Sequence, residues 1–260
     1  MLLTIDVGNT NTVLGVFEGP QLRVHWRLTT RREQTADEYG ILVRNLFASS
    51  GLQPGDIEAV ALASVVPPLT PVLVSLARQY LGHEPVVVGP GVKTGMPILY
   101  EPTGDVGADR IVNGVAAFAA FGGPVIVVDF GTATTFDVVT RKGEYVGGVI
   151  CPGIGISADA LFQRAARLPR VDVRRPERVV GKNTVGSMQA GLYFGYASMC
   201  EGIIARIRAE VGESMRVVAT GGLAETLAPE VPSIEIVDPV LTLTGLRLIW
   251  ERNRPAAPRA

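Results

Sequence analysis

Short apolar segments alternate with longer stretches of helical periodicity along this chain, and glycine and proline are frequent in the turns between them. Three apolar segments come first, followed by a stretch in which Thr35 and Glu38 have the spacing of a capping box. The first half is predicted to contain strands at 2–6, 13–17, 22–28, 57–66 and 85–88, a helix after Thr35 and a helix between Pro68 and Gly82. The order βββ-α-β-α-β is typical of an open mixed sheet with helices packed against it.

The same order returns after a loop at 89–105, in which glycine and proline exclude regular structure. A helix is predicted at 107–121 after this loop. The second half is then predicted to contain strands at 125–129, 134–139, 144–150, 216–219 and 234–237, helices at 157–168 and 184–211, a short helix after Gly221-Gly222 and a last helix through Trp250. We therefore predict an α/β fold with two related halves, 1–118 and 119–260. The segment 253–260 has two prolines and little to bury, so we expect it to be mobile.

Nearly the same motif follows the first strand of each half. The first copy is Asp6-Val7-Gly8-Asn9-Thr10-Asn11-Thr12, and the second is Asp129-Phe130-Gly131-Thr132-Ala133-Thr134-Thr135. Each copy is a strand that ends in aspartate, then a turn of glycine and small polar residues, then a β-branched strand. Backbone N–H groups around such a glycine, with hydroxyl and amide side chains beside them, can hold phosphate oxygens.

An ordinary hairpin is the alternative explanation of each copy, because threonine and asparagine hydrogen-bond their own backbone in turns. Asp6 and Asp129 argue against it, since an aspartate that closes a buried strand needs a cation, donors or solvent to offset its desolvation. Hard cations such as Mg²⁺ and K⁺ suit carboxylates, carbonyls and water. The doubled motif therefore predicts a site for a polyphosphate and its cation.

A second candidate site lies at the start of the helix predicted at 107–121, where the chain reads Gly107-Ala108-Asp109-Arg110. An acid in the first turn stabilises a helix through its dipole, which is one explanation of Asp109. Arg110 does not fit that explanation, because a cation at this helix end opposes the dipole. Alternatively, Arg110 holds a substrate carboxylate and Asp109 accepts a hydroxyl proton. The spacing by itself leaves both explanations open.

Composition and charge argue against several classes of protein. The 260 residues are 47% hydrophobic and 19% charged, which is typical of a globular protein, and the formal net charge of −1 indicates neither nucleic acid nor a membrane as partner. Two cysteines without metal-type spacing, and no leader-like or membrane-spanning segment, predict a cytoplasmic protein. P-loop, dinucleotide-binding, His-Glu-x-x-His and Gly-x-Ser-x-Gly motifs are all missing, so a phosphate would be bound by another route.

Taken together, the two Asp-Gly-Thr motifs and Gly107-Ala108-Asp109-Arg110 resemble type III pantothenate kinases in order and approximate spacing. Gly147-Gly148 with Pro152-Gly153, and Gly221-Gly222, are similar to later motifs of that family. The resemblance covers the chain except for its last several residues. It implies the actin-like, sugar-kinase-type ATPase fold, with two duplicated domains around a central nucleotide cleft, and a homodimer.

The resemblance also implies the reaction, which is ATP-dependent phosphorylation of pantothenate to 4′-phosphopantothenate on the way to coenzyme A. It implies Mg²⁺ near Asp6, held directly or through water, and a monovalent cation, K⁺ or NH₄⁺, at Asp129. Asp109 is implied as the general base. The implied ATP contacts are Asp6, Val7, Gly8, Asn9, Thr10, Asn11, Thr12, Val13 and Thr132. The implied pantothenate contacts are Tyr100, Gly107, Ala108, Asp109, Arg110 and Thr184.

Simpler explanations exist for two of these positions, because Tyr100 fits a loop aromatic and Thr184 follows Asn183, a typical helix N-cap. Two other functions also remain open. One is a different phosphotransferase or phosphatase on the same fold, acting on a sugar, acetate or polyphosphate. The other is a non-catalytic homologue that serves as an accessory factor for transcription, although the near-neutral charge does not indicate DNA binding.

Overall fold

A computed structural model describes residues 1–254 of the chain, which divide into two compact units. Each unit has one five-stranded mixed sheet with helices packed against it. The strands are β1 Leu2–Val7, β2 Asn11–Glu18, β3 Gln21–Thr29, β4 Ala59–Ser64, β5 Val86–Val87, β6 Val125–Phe130, β7 Ala133–Val139, β8 Tyr145–Pro152, β9 Arg216–Thr220 and β10 Ile236–Val237. The helices are α1 Ala36–Ser49, α2 Thr70–Leu81, α3 Ala108–Phe121, α4 Ile154–Arg164, α5 Thr184–Val211, α6 Ala224–Leu227 and α7 Leu241–Asn253.

The two sheets have the same topology, which confirms the predicted duplication. The strand order is β3-β2-β1-β4-β5 in one sheet and β8-β7-β6-β9-β10 in the other. In both, the first three strands in chain order pair antiparallel, and the central strand then pairs parallel with the strand that follows a helix. The carboxyl ends of the central strands β1 and β6 carry the two aspartate motifs.

Local sequence signals account for several helix ends. Thr35 and Glu38 form the expected capping box at α1, with the Thr35 side chain accepting from the Glu38 N–H. The Asn183 side chain accepts from the Gly186 N–H at 2.8 Å and caps α5, as the N-cap interpretation predicted. By contrast, α4 begins at Ile154, three residues before the predicted start at residue 157. Gly153, directly before the helix, has an extended backbone.

The C-terminal helix changes the predicted division of the chain. The first unit comprises Met1–Ala116 together with the segment that begins at Leu241, and the second unit is Ala117–Val240. The boundary near residue 116 lies close to the predicted one at 118, but α7 packs against the sheet of the first unit. The sequence placed α7 in the second half because only its packing surface, and not its periodicity, shows which sheet it covers. Asn253 ends α7, and the rest of the predicted mobile tail from residue 255 lies outside the described residues.

Apolar side chains from one face of each sheet form a separate core with the helices of the same unit. In the first unit, Leu3, Ile5 and Val7 of β1 pack with side chains of α1 and α2. In the second unit, Ile126, Val128 and Phe130 of β6 pack with α5. Because side chains alternate along a strand, Asp6 and Asp129 lie on the opposite face of their sheets from these cores.

Candidate active site

The first aspartate motif forms the turn between β1 and β2. Val7 pairs with Thr12, so the four residues from Gly8 to Asn11 make the turn, and the Gly8 N–H donates to the Asn11 carbonyl at 2.9 Å. Asn9 and Thr10 are exposed, whereas Thr12 is buried. The turn therefore presents polar groups beside Asp6, which is half-buried at the end of its strand.

Thr30, just after β3, holds this turn from one side, and the sequence analysis did not identify it. Its hydroxyl donates to the Gly8 carbonyl at 2.7 Å and lies 2.9 Å from the Thr12 hydroxyl. Its backbone N–H donates to the Thr10 carbonyl at 2.9 Å. Three contacts from one residue fix the turn on the edge that faces β3. No local motif marks Thr30, because its partners lie about twenty residues earlier in the chain.

Gly107, Asp109 and Arg110 meet at the start of α3, also in the first unit. The Asp109 Oδ1 accepts from the Arg110 N–H at 2.8 Å, and a Cβ at position 107 would stand 2.5 Å from that same oxygen. The missing side chain at Gly107 therefore leaves space for the Asp109 carboxylate. Arg110 is buried, with 7% of its surface exposed, although a cation in the first turn opposes the helix dipole. Burial of that charge requires hydrogen-bonding or charged partners.

Tyr100 is half-buried in the loop between β5 and α3. The earlier part of this loop is held by the end of α7, since the Asn253 side chain accepts from the Lys93 N–H at 3.0 Å and donates to the Lys93 carbonyl at 2.9 Å. The Arg252 guanidinium also donates to the Thr94 carbonyl. The first unit thus contains the phosphate-type turn, the Gly107–Arg110 segment and the Tyr100 loop, and α7 holds the start of that loop.

The second aspartate motif is one residue tighter than the first, despite the matching sequence. Phe130 pairs with Thr134, so only Gly131, Thr132 and Ala133 make the turn, and the Gly131 N–H donates to the Ala133 carbonyl at 3.1 Å. The start of α4 lies against this turn, because the Gly153 N–H donates to the Thr132 carbonyl at 3.0 Å. A Cβ at Gly153 would overlap that carbonyl, so this close backbone approach requires glycine.

Asp129 lies in a cradle of glycines at the end of β6. A Cβ at Gly131 would stand 3.4 Å from its Oδ1, and one at Gly221, after β9, would overlap that oxygen. Thr135 of β7 and Thr220 of β9 are its direct neighbours on the two flanking strands. Hydroxyl oxygens therefore lie on both sides of a single carboxylate.

Behind this cradle, β7 carries a fully buried carboxylate that the sequence analysis did not single out. The Asp137 side chain accepts from the Thr135 hydroxyl at 3.0 Å and from the Tyr145 hydroxyl at 2.8 Å. Two hydroxyl donors offset part of the desolvation of its charge. A carboxylate in the middle of a strand has no sequence signature, since only the folded sheet shows what surrounds it.

Thr184 is the first residue of α5 and is exposed. A cavity of about 550 Å³ lies beside it in the second unit, lined by Leu168, Gly181, Lys182, Asn183, Thr184, Ser187 and Met188. Thr184 is remote in the chain from the Asp129 motif, and its predicted role as a substrate contact remains a prediction. Within residues 1–254, no group of three His, Cys, Asp or Glu side chains is placed to hold a metal ion, and no helix is long and apolar enough to cross a membrane.

A sequence profile of type III pantothenate kinases matches residues 2–206, most of the chain. A protein named type III pantothenate kinase from Moorella thermoacetica is 60% identical over 253 residues, which cover 97% of this chain and 100% of that relative. The chain belongs to the type III pantothenate kinase family. The family resemblance drawn from the aspartate motifs is therefore confirmed.

Solved structures support the fold of this type III pantothenate kinase at lower identity. A Campylobacter jejuni protein described as a Baf family transcriptional activator gives a TM-score of 0.62 at 20% identity, covering 96% of this chain and 98% of that one. An inorganic polyphosphate/ATP-glucomannokinase from Arthrobacter sp. strain KM gives 0.53 at 15% identity, covering 97% and 99%. These similarities show the fold alone, and they place the kinase in the actin-like ATPase and sugar kinase fold.

Proposed function

We propose that this protein transfers the γ-phosphoryl group of ATP to the hydroxyl of pantothenate, giving 4′-phosphopantothenate for coenzyme A synthesis. The observation that carries the proposal is the 60% identity to a type III pantothenate kinase along the whole length of that relative. Phosphoryl transfer depends mainly on positioning and charge stabilisation, so the residues are assigned by the groups they can place.

In the first unit, the turn from Gly8 to Asn11 supplies phosphate contacts. Backbone N–H groups and the side chains of Asn9, Thr10 and Asn11 are exposed or half-buried there, and Thr30 holds the turn in shape. Asp6 adds a carboxylate at the strand end, a suitable direct or water-mediated ligand for the Mg²⁺ that accompanies ATP. The ATP-binding segment in this proposal is Asp6, Val7, Gly8, Asn9, Thr10, Asn11, Thr12 and Val13. Thr132 is proposed as a further ATP contact.

Asp109 acts as the general base in this proposal. Its carboxylate has room beside Gly107 and accepts a hydrogen bond from the Arg110 N–H, which fixes its orientation. It accepts the hydroxyl proton of pantothenate as the oxygen attacks. Arg110 binds the pantothenate carboxylate, and its guanidinium suits that planar anion. Tyr100, Ala108 and Thr184 complete the proposed pantothenate contacts.

The residues around Asp129 fit a hard monovalent cation. The donor set consists of one carboxylate flanked by hydroxyl-bearing and glycine residues, so it offers oxygen atoms and one negative charge. K⁺ or NH₄⁺ bound there would offset part of the negative charge of phosphates and substrate carboxylate. Gly131 and Gly221 keep the space at Asp129 open for it.

We also propose a homodimer in the cytoplasm. Exposed apolar side chains on β8, an edge strand, and on α4 support a second copy as partner: Val146, Ile150, Ile156, Leu161 and Phe162. Cys151 and Cys200 are both free, which suits a reducing compartment. Sedimentation of the purified protein tests the dimer.

A coupled assay of ADP release with pantothenate, with and without K⁺, tests the reaction. We expect release to require pantothenate, and we expect K⁺ to increase it. Asp109→Asn should fold, bind ATP and lose kcat by at least about 100-fold, the scale of general-base catalysis. Asp105→Asn is the matched control, because Asp105 is exposed and lies four residues earlier in the same segment.

Three outcomes would overturn these assignments. Near-normal turnover by Asp109→Asn would remove Asp109 as the base. A folded wild-type dimer that releases no ADP with pantothenate, at high ATP and K⁺, would favour the accessory-factor alternative. ADP release with a sugar, acetate or polyphosphate in place of pantothenate would favour the other phosphotransferase.

A further inference from the structure

Asp129 has a hydroxyl-bearing neighbour on each side in its sheet. It pairs with Thr135 of β7 and with Thr220 of β9. Directly opposed residues of adjacent strands point to the same face, with Cβ atoms about 5 Å apart. Thr135 and Thr220 therefore lie beside the Asp129 carboxylate on the face opposite the apolar core.

The first unit offers an internal comparison, because its sheet has the same topology. There Asp6 pairs with Val13 of β2 and with Ala63 of β4, so both flanking positions are apolar. The difference lies in the side chains, since strand order and direction are the same in the two sheets. Only the aspartate of the second unit has neighbours in the sheet that can add oxygen ligands.

The buried Asp137 decides which way the Thr135 hydroxyl points. The Thr135 hydroxyl donates its single proton to the Asp137 carboxylate across 3.0 Å. The Thr135 oxygen is left with lone pairs and no proton to offer elsewhere. Tyr145 donates to the other carboxylate oxygen at 2.8 Å, which holds Asp137 in place from the far side.

We propose that the Thr135 hydroxyl oxygen is a ligand of the monovalent cation at Asp129, and that Asp137 is the positioning residue that directs its lone pairs there. The inference rests on the proposed cation role of Asp129. An oxygen that only accepts suits K⁺, and it equally suits NH₄⁺, which only donates. One carboxylate beside neutral hydroxyl oxygens also suits a cation of single charge.

The test is a titration of the purified protein with KCl, replacing choline chloride at constant ionic strength, with and without ADP. The readouts are the melting temperature and, separately, the K⁺ concentration that gives half-maximal ADP release. Binding to the folded state raises the melting temperature with cation concentration, so this readout does not require turnover. The variants are Thr135→Val, which keeps the shape and removes the hydroxyl, Thr135→Ser, which keeps the hydroxyl, and Tyr145→Phe.

We expect Thr135→Val to raise the K⁺ midpoint by at least about tenfold, the scale seen when groups around a bound metal are removed. Thr135→Ser should restore the wild-type midpoint. Tyr145→Phe is the matched control, because it removes a hydroxyl from the same carboxylate on the side away from Asp129. It should lower the melting temperature at every K⁺ concentration and shift the K⁺ midpoint by less than Thr135→Val does, because the Thr135 oxygen stays in place.

Each outcome separates this inference from the proposal on which it rests. If Thr135→Val melts lower but keeps the wild-type K⁺ midpoint, Thr135 is structural and the inference fails while the cation site stands. If the wild-type protein shows no K⁺ response in either readout, the cation site at Asp129 fails, and the inference fails with it.

Discussion

Gly221 lies directly against Asp129. A Cβ at position 221 would overlap the Asp129 Oδ1 and stand 2.7 Å from the Phe130 backbone nitrogen, and the φ of Gly221 is 93°. Both the left-handed backbone and the space thus require glycine after β9. Gly221 therefore allows the end of β9 to lie this close to the second aspartate motif.

Gly221→Ala should displace the Asp129 carboxylate. A side chain at this φ costs about 1–2 kcal/mol, and the overlap adds about 1–3 kcal/mol. We expect a lower free energy of unfolding in urea, together with a weakened K⁺ response of ADP release. Gly212→Ala is the control, because Gly212 has a φ of 72° and open space around it. It should lose only the backbone contribution and keep the K⁺ response, and an equal loss of that response in both variants would contradict the overlap argument.

Thr30→Val should loosen the turn between β1 and β2. It removes the hydroxyl that donates to the Gly8 carbonyl and faces the Thr12 hydroxyl, at an expected cost of about 1–2 kcal/mol in unfolding free energy. We expect the KM for ATP to rise more than the KM for pantothenate, measured by ADP release. Thr29→Val is the matched control, because Thr29 is the exposed last residue of β3, directly before Thr30. A Thr30→Val enzyme with wild-type KM for ATP would show that the hydroxyl does not shape the phosphate turn.

Gly245→Ala should separate α7 from α3. A Cβ there would overlap the Val112 carbonyl oxygen and stand 2.7 Å from Val112 Cγ1, so we expect a loss of about 1–3 kcal/mol in urea unfolding. Gly191→Ala in α5 is the control, because it has open space and should gain up to about 1 kcal/mol from helix propensity. The two substitutions should therefore act in opposite directions. A gain in both would indicate that α7 does not pack closely on α3.

Cys200 should make stability depend on alkaline pH. Burial, with smaller contributions from Cys151 and Glu201, raises the pKa of the Cys200 thiol from 9.0 to about 12. The folded state therefore keeps the thiol protonated, and its stabilising effect is complete below pH 9 and lost as the pH rises towards 12. We expect the difference in unfolding free energy between wild type and Cys200→Ala to shrink over that range. A difference that stays constant with pH would mean that the thiol ionises equally in both states.

Local sequence was sufficient wherever the partners of a residue lie within one turn or one strand. The capping box of α1, the Asn183 cap of α5 and the two aspartate turns are formed by residues close in the chain, and the structure contains all of them. The motif residues could therefore be named in advance. The different lengths of the two turns could not be predicted, because the two motifs have the same number of residues. The pairing of the flanking strands decides where each turn begins and ends.

The sequence by itself determined the α/β class, the internal repeat and the family. Apolar segments that alternate with stretches of helical periodicity, the turn residues and the motif spacing are all local properties of the chain. Only the tertiary structure decided what stands beside each aspartate. Thr30 reaches the first turn from another strand, α7 joins the first unit, and Asp137 with Thr135 and Tyr145 forms a buried network behind Asp129. Side chains on neighbouring strands meet through register and packing, which depend on the whole sheet and leave no local signal. Asp6 and Asp129 look alike in the sequence, and their neighbours in the sheet make them different.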